Sequence, residues 1–341
     1  MQSQNSLNLS NGIFFKLKSS FKKLYKNSNF YEKRISKTFD NNFEYKPSPH
    51  LLSSIIKYQK KKYKIEDFAT ETIWKNNISS KDFKKLNNFF WFFSLDLKSS
   101  KETTQSIILN WINKNEKFDE NIWEFNITAK RIIAWLSNHQ LTYEDSNEEY
   151  RLYFNHMLQK QTNHLLNEIK NLDETEEKLI GCAAIILTGL AYKDEKNYLD
   201  SGLNILKNLI KHSLDKQGFP KSRNIQNLVF YLKYLIIIRE WFKESQNPIP
   251  EYVDETIYYL GSSYAFIWQN IKQDIFFNGN YSSNHNEFDQ YLKRFGYTFK
   301  NRCTRYKNIS TSFNCYFTII KIYPTVYFNI KVKFFYFSNF F

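Results

Sequence analysis

The 341-residue sequence has little glycine, little cysteine and no long hydrophobic run. Its eight glycines form neither a GxGxxG nor a GxxxxGK[ST] string, which argues against a function based on a phosphate-binding loop. Three cysteines without a CxxC spacing exclude a disulfide scaffold and a thiolate zinc cluster, and we predict neither a metal nor a cofactor. The longest run of apolar and small residues, 181–191, is too short to span a bilayer.

Acidic residues are scarce at both ends of the chain. Residues 1–65 hold 14 basic and 3 acidic side chains, residues 66–289 hold 25 and 31, and residues 290–341 hold 9 and none. The net charge of +14 therefore comes from the two ends, whereas the body is mildly acidic. A nucleic-acid-binding domain needs a basic face on its folded body, so we predict no nucleic-acid partner.

Lysines alternate with apolar residues at helical spacing in residues 13–26. The apolar positions are Phe14, Leu17, Phe21, Leu24 and Tyr25. The pattern predicts a basic amphipathic helix with two interpretations. The helix makes peripheral contact with a membrane, or it docks on the protein's own core with its lysines in water. No segment with the pattern of a cleavable signal accompanies it.

Apolar residues recur at helical spacing through the body, and strand-like alternation is scarce. The patterns predict helices over 81–97, 102–114, 125–140, 148–170, 177–193, 196–213, 222–244 and 250–272. Ser222 is the expected start signal of the helix over 222–244. Residues 177–192 are apolar on nearly every side, as in a central helix. Short connections favour antiparallel neighbours, so we predict an all-α fold of stacked helical hairpins.

The composition changes abruptly near residue 301. The segment that follows contains 13 aromatic residues and two of the three cysteines, and it has no acidic residue and no glycine. Such a segment would be prone to aggregation if it were exposed. We interpret residues 301–341 as an aberrant aromatic and basic tail produced by a frameshift or a gene-end artefact, and the chain as truncated.

Several sequence blocks follow one another in a family-like order between residues 66 and 300. They are Leu86-Asn-Asn-Phe-Phe-Trp-Phe-Phe93, Trp111-Ile112, Trp123 with Arg131 and Ala134-Trp135-Leu136, Gly189-Leu190-Ala191, Gly218-Phe-Pro-Lys-Ser-Arg-Asn224, Leu232 with 235–239, and Phe276-Phe-Asn-Gly279. Together they resemble the N-terminal domain of heparinase II/III family proteins. The resemblance implies a division into a basic N-terminal segment (1–65), a helical domain (66–300) and the tail.

The resemblance implies an incomplete α/α toroid of helical hairpins, with the family's C-terminal β-sandwich missing. It also implies a periplasmic polysaccharide lyase whose partner is an acidic polysaccharide such as a glycosaminoglycan or alginate. Lyases of this kind cleave uronic-acid chains by β-elimination. A polar group neutralises the uronate carboxylate, a Tyr or His removes the C5 proton, and a second such group protonates the leaving oxygen.

The resemblance also supplies the candidate site residues. Asn163 and His164 match the Asn-His pair of the lyases and are the candidate catalytic residues, although they lie one helix earlier than the family pair. Arg223 and Asn227 are the candidate substrate-binding residues, and Asn227 stands where the lyases have a Tyr. These departures predict that the chain is an inactive fragment.

Each of these assignments has a structural alternative. His164 could pack or hydrogen-bond between helices, and Arg223 could pair with a neighbouring acid. Four tryptophans either line a sugar-stacking groove or pack between the hairpins: Trp91, Trp111, Trp123 and Trp135. Two functions therefore stay open, a heparinase II/III-like polysaccharide lyase or a non-catalytic helical scaffold that binds a glycan or a protein. A charged cleft in which Arg223, Asn227 and His164 converge would favour the lyase.

Overall fold

The computed structural model describes residues 20–38, 44–53, 64–65, 79–192, 196–215, 218–270, 285–294 and 296–299. Their α-helices are, in order, α1 (20–26), α2 (Asn29–Ile35), α3 (Pro49–Ser53), α4 (Ser80–Asn87), α5 (Lys101–Lys114), α6 (Phe125–Ser137), α7 (His139–Thr142), α8 (Glu148–Glu168), α9 (Thr175–Ala191), α10 (Lys196–Ser213), α11 (Ile225–Glu244), α12 (Glu251–Asn270) and α13 (His285–Arg294). The predicted tail over 301–341 and the amphipathic positions 13–19 lie outside the described residues.

The prediction of an all-α fold is confirmed for the part of the chain that the structure describes. These residues form no β-strand, and a single isolated bridge joins Leu214 to Pro220. None of the described helices is both long enough and apolar enough to cross a membrane.

Helix α9 is the centre of the fold. Every residue from Leu179 to Ala191 is buried, and the helix packs against α6, α8, α10 and α11. A Cβ atom at Gly189 would lie 2.4 Å from the backbone nitrogen of Leu199, and one at Gly202 would lie 2.7 Å from Ile186. Residue numbers therefore rise in α10 as they fall in α9 along the contact, so the two helices form an antiparallel hairpin. Their backbones approach closely at these positions because glycine has no side chain. Helices α11 and α12 form a second contacting pair.

The N-terminal segment shares the core of the helical body. Tyr31, Ile35, Tyr45 and Leu52 are all buried within the same hydrophobic cluster as α9. The predicted division at residue 65 therefore does not separate two cores among the described residues.

Two predicted helices differ from those observed. The helix expected over 81–97 ends at Asn87, because Phe89 adopts a left-handed conformation with φ 56° and the Asn88 side chain accepts a hydrogen bond from the Phe90 amide at 2.9 Å. A 3-10 helix, Phe90–Ser94, follows. The prediction of Ser222 as a helix start was wrong, since α11 begins at Ile225 and its N-cap is Asn224.

Three of the four tryptophans pack the core. Trp111, Trp123 and Trp135 are buried, and the rings of Trp111 and Trp135 meet edge to face at 5.5 Å. The buried Arg131 lies over Trp111 with 4.1 Å between its guanidinium carbon and the ring centroid, and it donates to the side chain of Gln161 at 2.6 Å. The core-packing alternative is confirmed for these three residues. Trp91 is only half-buried, and its indole donates to a nearby backbone carbonyl.

Candidate functional site

His164 lies in α8, where it joins two other parts of the chain. Its side chain is 1% exposed, with Nδ1 2.7 Å from the Tyr31 hydroxyl and Nε2 2.9 Å from the Trp123 carbonyl oxygen. A carbonyl oxygen only accepts, so Nε2 carries the proton and Nδ1 accepts from Tyr31. Burial lowers the pKa of His164 to about 3, so the ring is neutral near pH 7. Both nitrogens are engaged, and the geometry fits the alternative in which His164 bonds between elements of the fold.

Asn163 ties the end of α2 to the body. Its Nδ2 donates to the carbonyl oxygens of Ile35 at 2.9 Å and Lys37 at 2.8 Å, and its Oδ1 accepts from the Tyr198 hydroxyl at 3.0 Å. Carbonyls at a helix C-terminus have no partner within the helix, so the amide satisfies groups that would otherwise need water. In the described conformation both residues of the Asn-His pair therefore serve as tethers. Their catalytic assignment stays a prediction.

A second polar region lies between α10 and α11, in residues 213–215 and 218–224, which we name the Arg223 turn. Asp215 organises it. The Asp215 amide donates to the Phe219 carbonyl at 2.9 Å, and the carboxylate accepts from the Phe219 amide at 2.9 Å. Lys221 closes the turn, because its amide donates to the Ser213 carbonyl at 2.8 Å. The turn is thus fixed at both ends by backbone hydrogen bonds.

The side chain of Arg223 projects from this turn into solvent. Its backbone has φ 56°, in the left-handed region that non-glycine residues rarely adopt, and its amide donates to the Pro220 carbonyl at 2.8 Å. The side chain is 46% exposed, and Nη1 donates to Asp215 Oδ2 at 2.8 Å. The guanidinium lies 5.5 Å above the Phe219 ring centroid. Among the described residues, its Nε and Nη2 atoms have no hydrogen-bond partner. The pairing alternative for Arg223 is therefore confirmed, but it uses only one nitrogen.

Asn227 lies one helical turn after Arg223, at the start of α11. It is half-buried, and its Nδ2 makes a long contact of 3.5 Å with Ser222 Oγ. The structure thus brings Arg223 and Asn227 to one helix start. His164 is instead buried between α8 and the N-terminal segment, so the three residues do not form one solvent-facing cleft.

Aromatic residues of α12 pack against the Arg223 turn. Gly218 has φ 72°, and a Cβ atom there would lie 2.4 Å from the Cβ of Tyr259. Only glycine fits this left-handed position and this close approach. Tyr258 and Tyr259 are both partly exposed, with ring centroids 5.5 Å apart. The α12 surface beside the turn therefore presents aromatic side chains to solvent.

A cleft of about 420 Å³ lies between the segment 44–50, the start of α7 and the end of α11. Its lining residues are Tyr45, Lys46, Ser48, Pro49, His50, His139, Gln140 and Glu244. The Tyr45 hydroxyl donates to Glu244 Oε2 at 2.8 Å, and burial together with this carboxylate raises the pKa of Tyr45. His139 Nδ1 lies 3.0 Å from Glu144 Oε1, and burial lowers the pKa of His139.

The sequence interpretation missed this cleft because it treated residues 1–65 as a basic segment. A usable signal was present in Tyr45-Lys-Pro-Ser-Pro49, where two prolines restrict an extended segment that carries a Tyr and a Lys. Among the described residues, no group of three or more His, Cys, Asp or Glu side chains could hold a metal ion.

Comparison with known proteins adds one structural likeness. No family model matches the chain, and no curated protein matches it. The crystal structure of heparinase III is similar to this chain at 14% sequence identity and a TM-score of 0.49. The match covers 79% of this chain and 45% of that one, so the chain spans less than half the length of heparinase III. A likeness of this extent does not define an activity, a substrate or the role of any residue.

Proposed function

We propose that this chain is a non-catalytic helical scaffold that binds an acidic polysaccharide at the Arg223 turn. The observation that carries the proposal is the exposed guanidinium of Arg223, held through Nη1 to Asp215. The hydrogen bond from Nη1 to Asp215 fixes the orientation of the guanidinium, and with it the edge formed by Nε and Nη2. A planar guanidinium edge matches the two oxygens of a carboxylate, which neutral sugars lack.

Neighbouring groups suit a charged sugar chain. Lys221 lies in the same turn, and its Nζ donates to the Lys211 carbonyl at 3.2 Å, so a second cation lies near the end of α10. The partly exposed Tyr258 and Tyr259 supply aromatic faces of the kind that pack against sugar rings. Cations and aromatic faces together favour a polysaccharide that carries carboxylate or sulfate groups.

The non-catalytic part of the proposal rests on the proton-transfer groups. Elimination needs a base with an available lone pair beside the substrate. His164 is buried with both nitrogens bonded, and the Tyr45 hydroxyl donates to a carboxylate that disfavours its ionisation. Neither group meets the requirement in this conformation.

The test is the affinity for alginate, heparin and chondroitin chains, measured by isothermal titration calorimetry with dextran as the neutral control. Arg223→Ala should weaken binding by about 1.5–3 kcal/mol, the range for a hydrogen bond to a charged group. Arg223→Lys keeps the charge without the planar edge, so its affinity should lie between that of the unchanged protein and that of Arg223→Ala. Arg151→Ala is the matched control, because it removes one positive charge from α8 and leaves the turn intact. Equal affinity of the protein and Arg223→Ala would remove Arg223 from the site.

A second candidate function, β-elimination of a uronic-acid chain, is favoured by His139. Burial lowers the pKa of His139, which favours the neutral ring that a general base requires, and Nδ1 lies 3.0 Å from Glu144 Oε1. Lys46 lines the same cleft and could neutralise a carboxylate. Absorbance of the unsaturated uronate product tests this function. We expect no turnover; turnover that His139→Ala abolishes would replace the first proposal with the second.

A further inference from the structure

Helix α1 pairs its lysines with carboxylates of the body, although Lys22 and Lys23 remain 44% and 65% exposed, and it has its large apolar side chains towards water. Phe21 and Leu24 are 70% and 69% exposed. Lys26, in contrast, is 14% exposed and donates to Glu168 at 2.7 Å, and Lys22 pairs with the same carboxylate at 3.0 Å. A helix docked by hydrophobic burial would show the reverse arrangement. The exposed Phe21 and Leu24 differ from the sequence interpretation in which the apolar side of this helix docks on the core.

Helix α2 continues the same outward surface. Phe30 is 68% exposed, and its ring centroid lies 6.2 Å from that of Tyr25. Lys33 and Arg34 follow Phe30 at helical spacing and are exposed, and Arg34 Nη1 donates to the Tyr25 hydroxyl at 3.2 Å. We name this surface the N-terminal face; it consists of Phe21, Leu24, Tyr25, Phe30, Lys33 and Arg34.

The N-terminal face is held firmly on the body from behind. Tyr31, on the opposite side of α2, is buried and bonds to His164. The Glu32 carboxylate pairs with the buried Lys160, and Asn163 donates to the carbonyl of Ile35, the last residue of α2. The exposed aromatic side chains are therefore presented by an anchored pair of helices and not by a loose terminus.

We propose that the N-terminal face docks on an anionic lipid surface. The cations of this face are Lys33 and Arg34, which are exposed. The three lysines of α1 pair with Glu168 and Glu120 of the body, and the one acidic side chain of residues 20–37, Glu32, pairs with Lys160. Apolar side chains flanked by cations are the combination that inserts at the headgroup boundary of an anionic bilayer. A second copy of the chain would bring the same cations against each other, which argues against a symmetric protein interface.

Co-sedimentation with vesicles tests the proposal on the full chain. One set of vesicles is phosphatidylcholine alone, and the other contains about one part in four of phosphatidylglycerol. We expect binding to the second set only, and weaker binding at high salt. Phe21→Ala with Leu24→Ala should lower the partition coefficient about tenfold or more, because two exposed apolar side chains lose their burial in lipid. Lys33→Glu with Arg34→Glu should lower it about thirtyfold or more, at roughly fivefold for each lost cation.

The matched control is Leu152→Ala with Tyr153→Ala. These α8 residues are also exposed, but Glu148 and Glu149 precede them, so they should contribute nothing to binding of anionic vesicles. All the changed side chains are exposed, so every variant should fold, and circular dichroism checks this. Equal binding to both vesicle sets, no binding to either, or equal loss in the control would overturn the proposal. If the protein does not bind vesicles but dimerises with rising concentration, and Phe21→Ala with Leu24→Ala abolishes the dimer, the N-terminal face would be assigned to contact with a second copy instead.

Discussion

Two regions of the protein arrange their polar side chains in opposite ways. One is the buried contact around His164, and the other is the Arg223 turn. His164 has both ring nitrogens satisfied within a buried contact between α8, α2 and the Trp123 carbonyl. Arg223 is fixed at one nitrogen and leaves much of its guanidinium in solvent. Complete satisfaction stabilises a fold, whereas partial satisfaction leaves a donor edge for a ligand. The difference predicts that changes at His164 act on stability and changes at the turn act on binding.

The largest expected effect on stability is that of His164→Ala. It removes the partner of the buried Tyr31 hydroxyl and of the Trp123 carbonyl, and it leaves a cavity. Two unsatisfied buried groups should lower the free energy of unfolding by about 3 kcal/mol. Urea denaturation followed by circular dichroism measures this value. His212→Ala is the control, because His212 is exposed, and it should change stability by less than about 0.5 kcal/mol. Similar losses in both variants would contradict the tethering role.

Gly218→Ala should have a smaller effect on stability and a clear effect on binding. The new Cβ would collide with Tyr259 at a residue whose φ is 72°. Strain and overpacking together should cost about 2 kcal/mol and move the turn away from α12. Binding of the acidic polysaccharide should weaken in parallel, measured by calorimetry on the folded variant. Unchanged affinity would separate the α12 aromatic residues from the site.

A further expected effect is a change in how stability depends on pH. Burial lowers the pKa of His164 to about 3 from an ordinary value of 6.5, so between these values the unfolded chain binds a proton that the folded chain does not. The contribution of the neutral His164 to the free energy of unfolding is therefore complete above pH 6.5. It is lost as pH falls towards 3, at about 1.4 kcal/mol per pH unit. His164→Gln removes this proton, so the difference in unfolding free energy between the protein and the variant should shrink as pH falls from 6.5 to 4.5. A constant difference would contradict the buried neutral ring.

Hydrophobic periodicity was sufficient to predict most of the fold. The patterns over 102–114, 148–170 and 196–213 correspond closely to α5, α8 and α10, because long amphipathic segments bury the same face in any helical packing. The ends were less predictable. Helix α4 stops early because the Asn88 side chain competes for a backbone amide, an effect that depends on local geometry and not on periodicity.

The candidate site was less accessible to sequence reasoning. Nothing in the string Asn163-His164 indicates that Tyr31, more than 130 positions earlier, would occupy the imidazole. The sequence also did not indicate that Asp215 supplies a carboxylate to both the Phe219 amide and Arg223. Both contacts depend on the folded backbone, which a motif does not record.

The bond between Tyr31 and His164 also has a consequence for synthesis on the ribosome. The two residues are 133 positions apart. At about 5–20 residues per second, roughly 7 to 27 seconds pass between the synthesis of Tyr31 and that of His164. During this interval α2 has no α8 to pack against, and Tyr31 is exposed together with Phe30. Helix α2 is thus made well before α8, the helix that secures it through Lys160, Asn163 and His164.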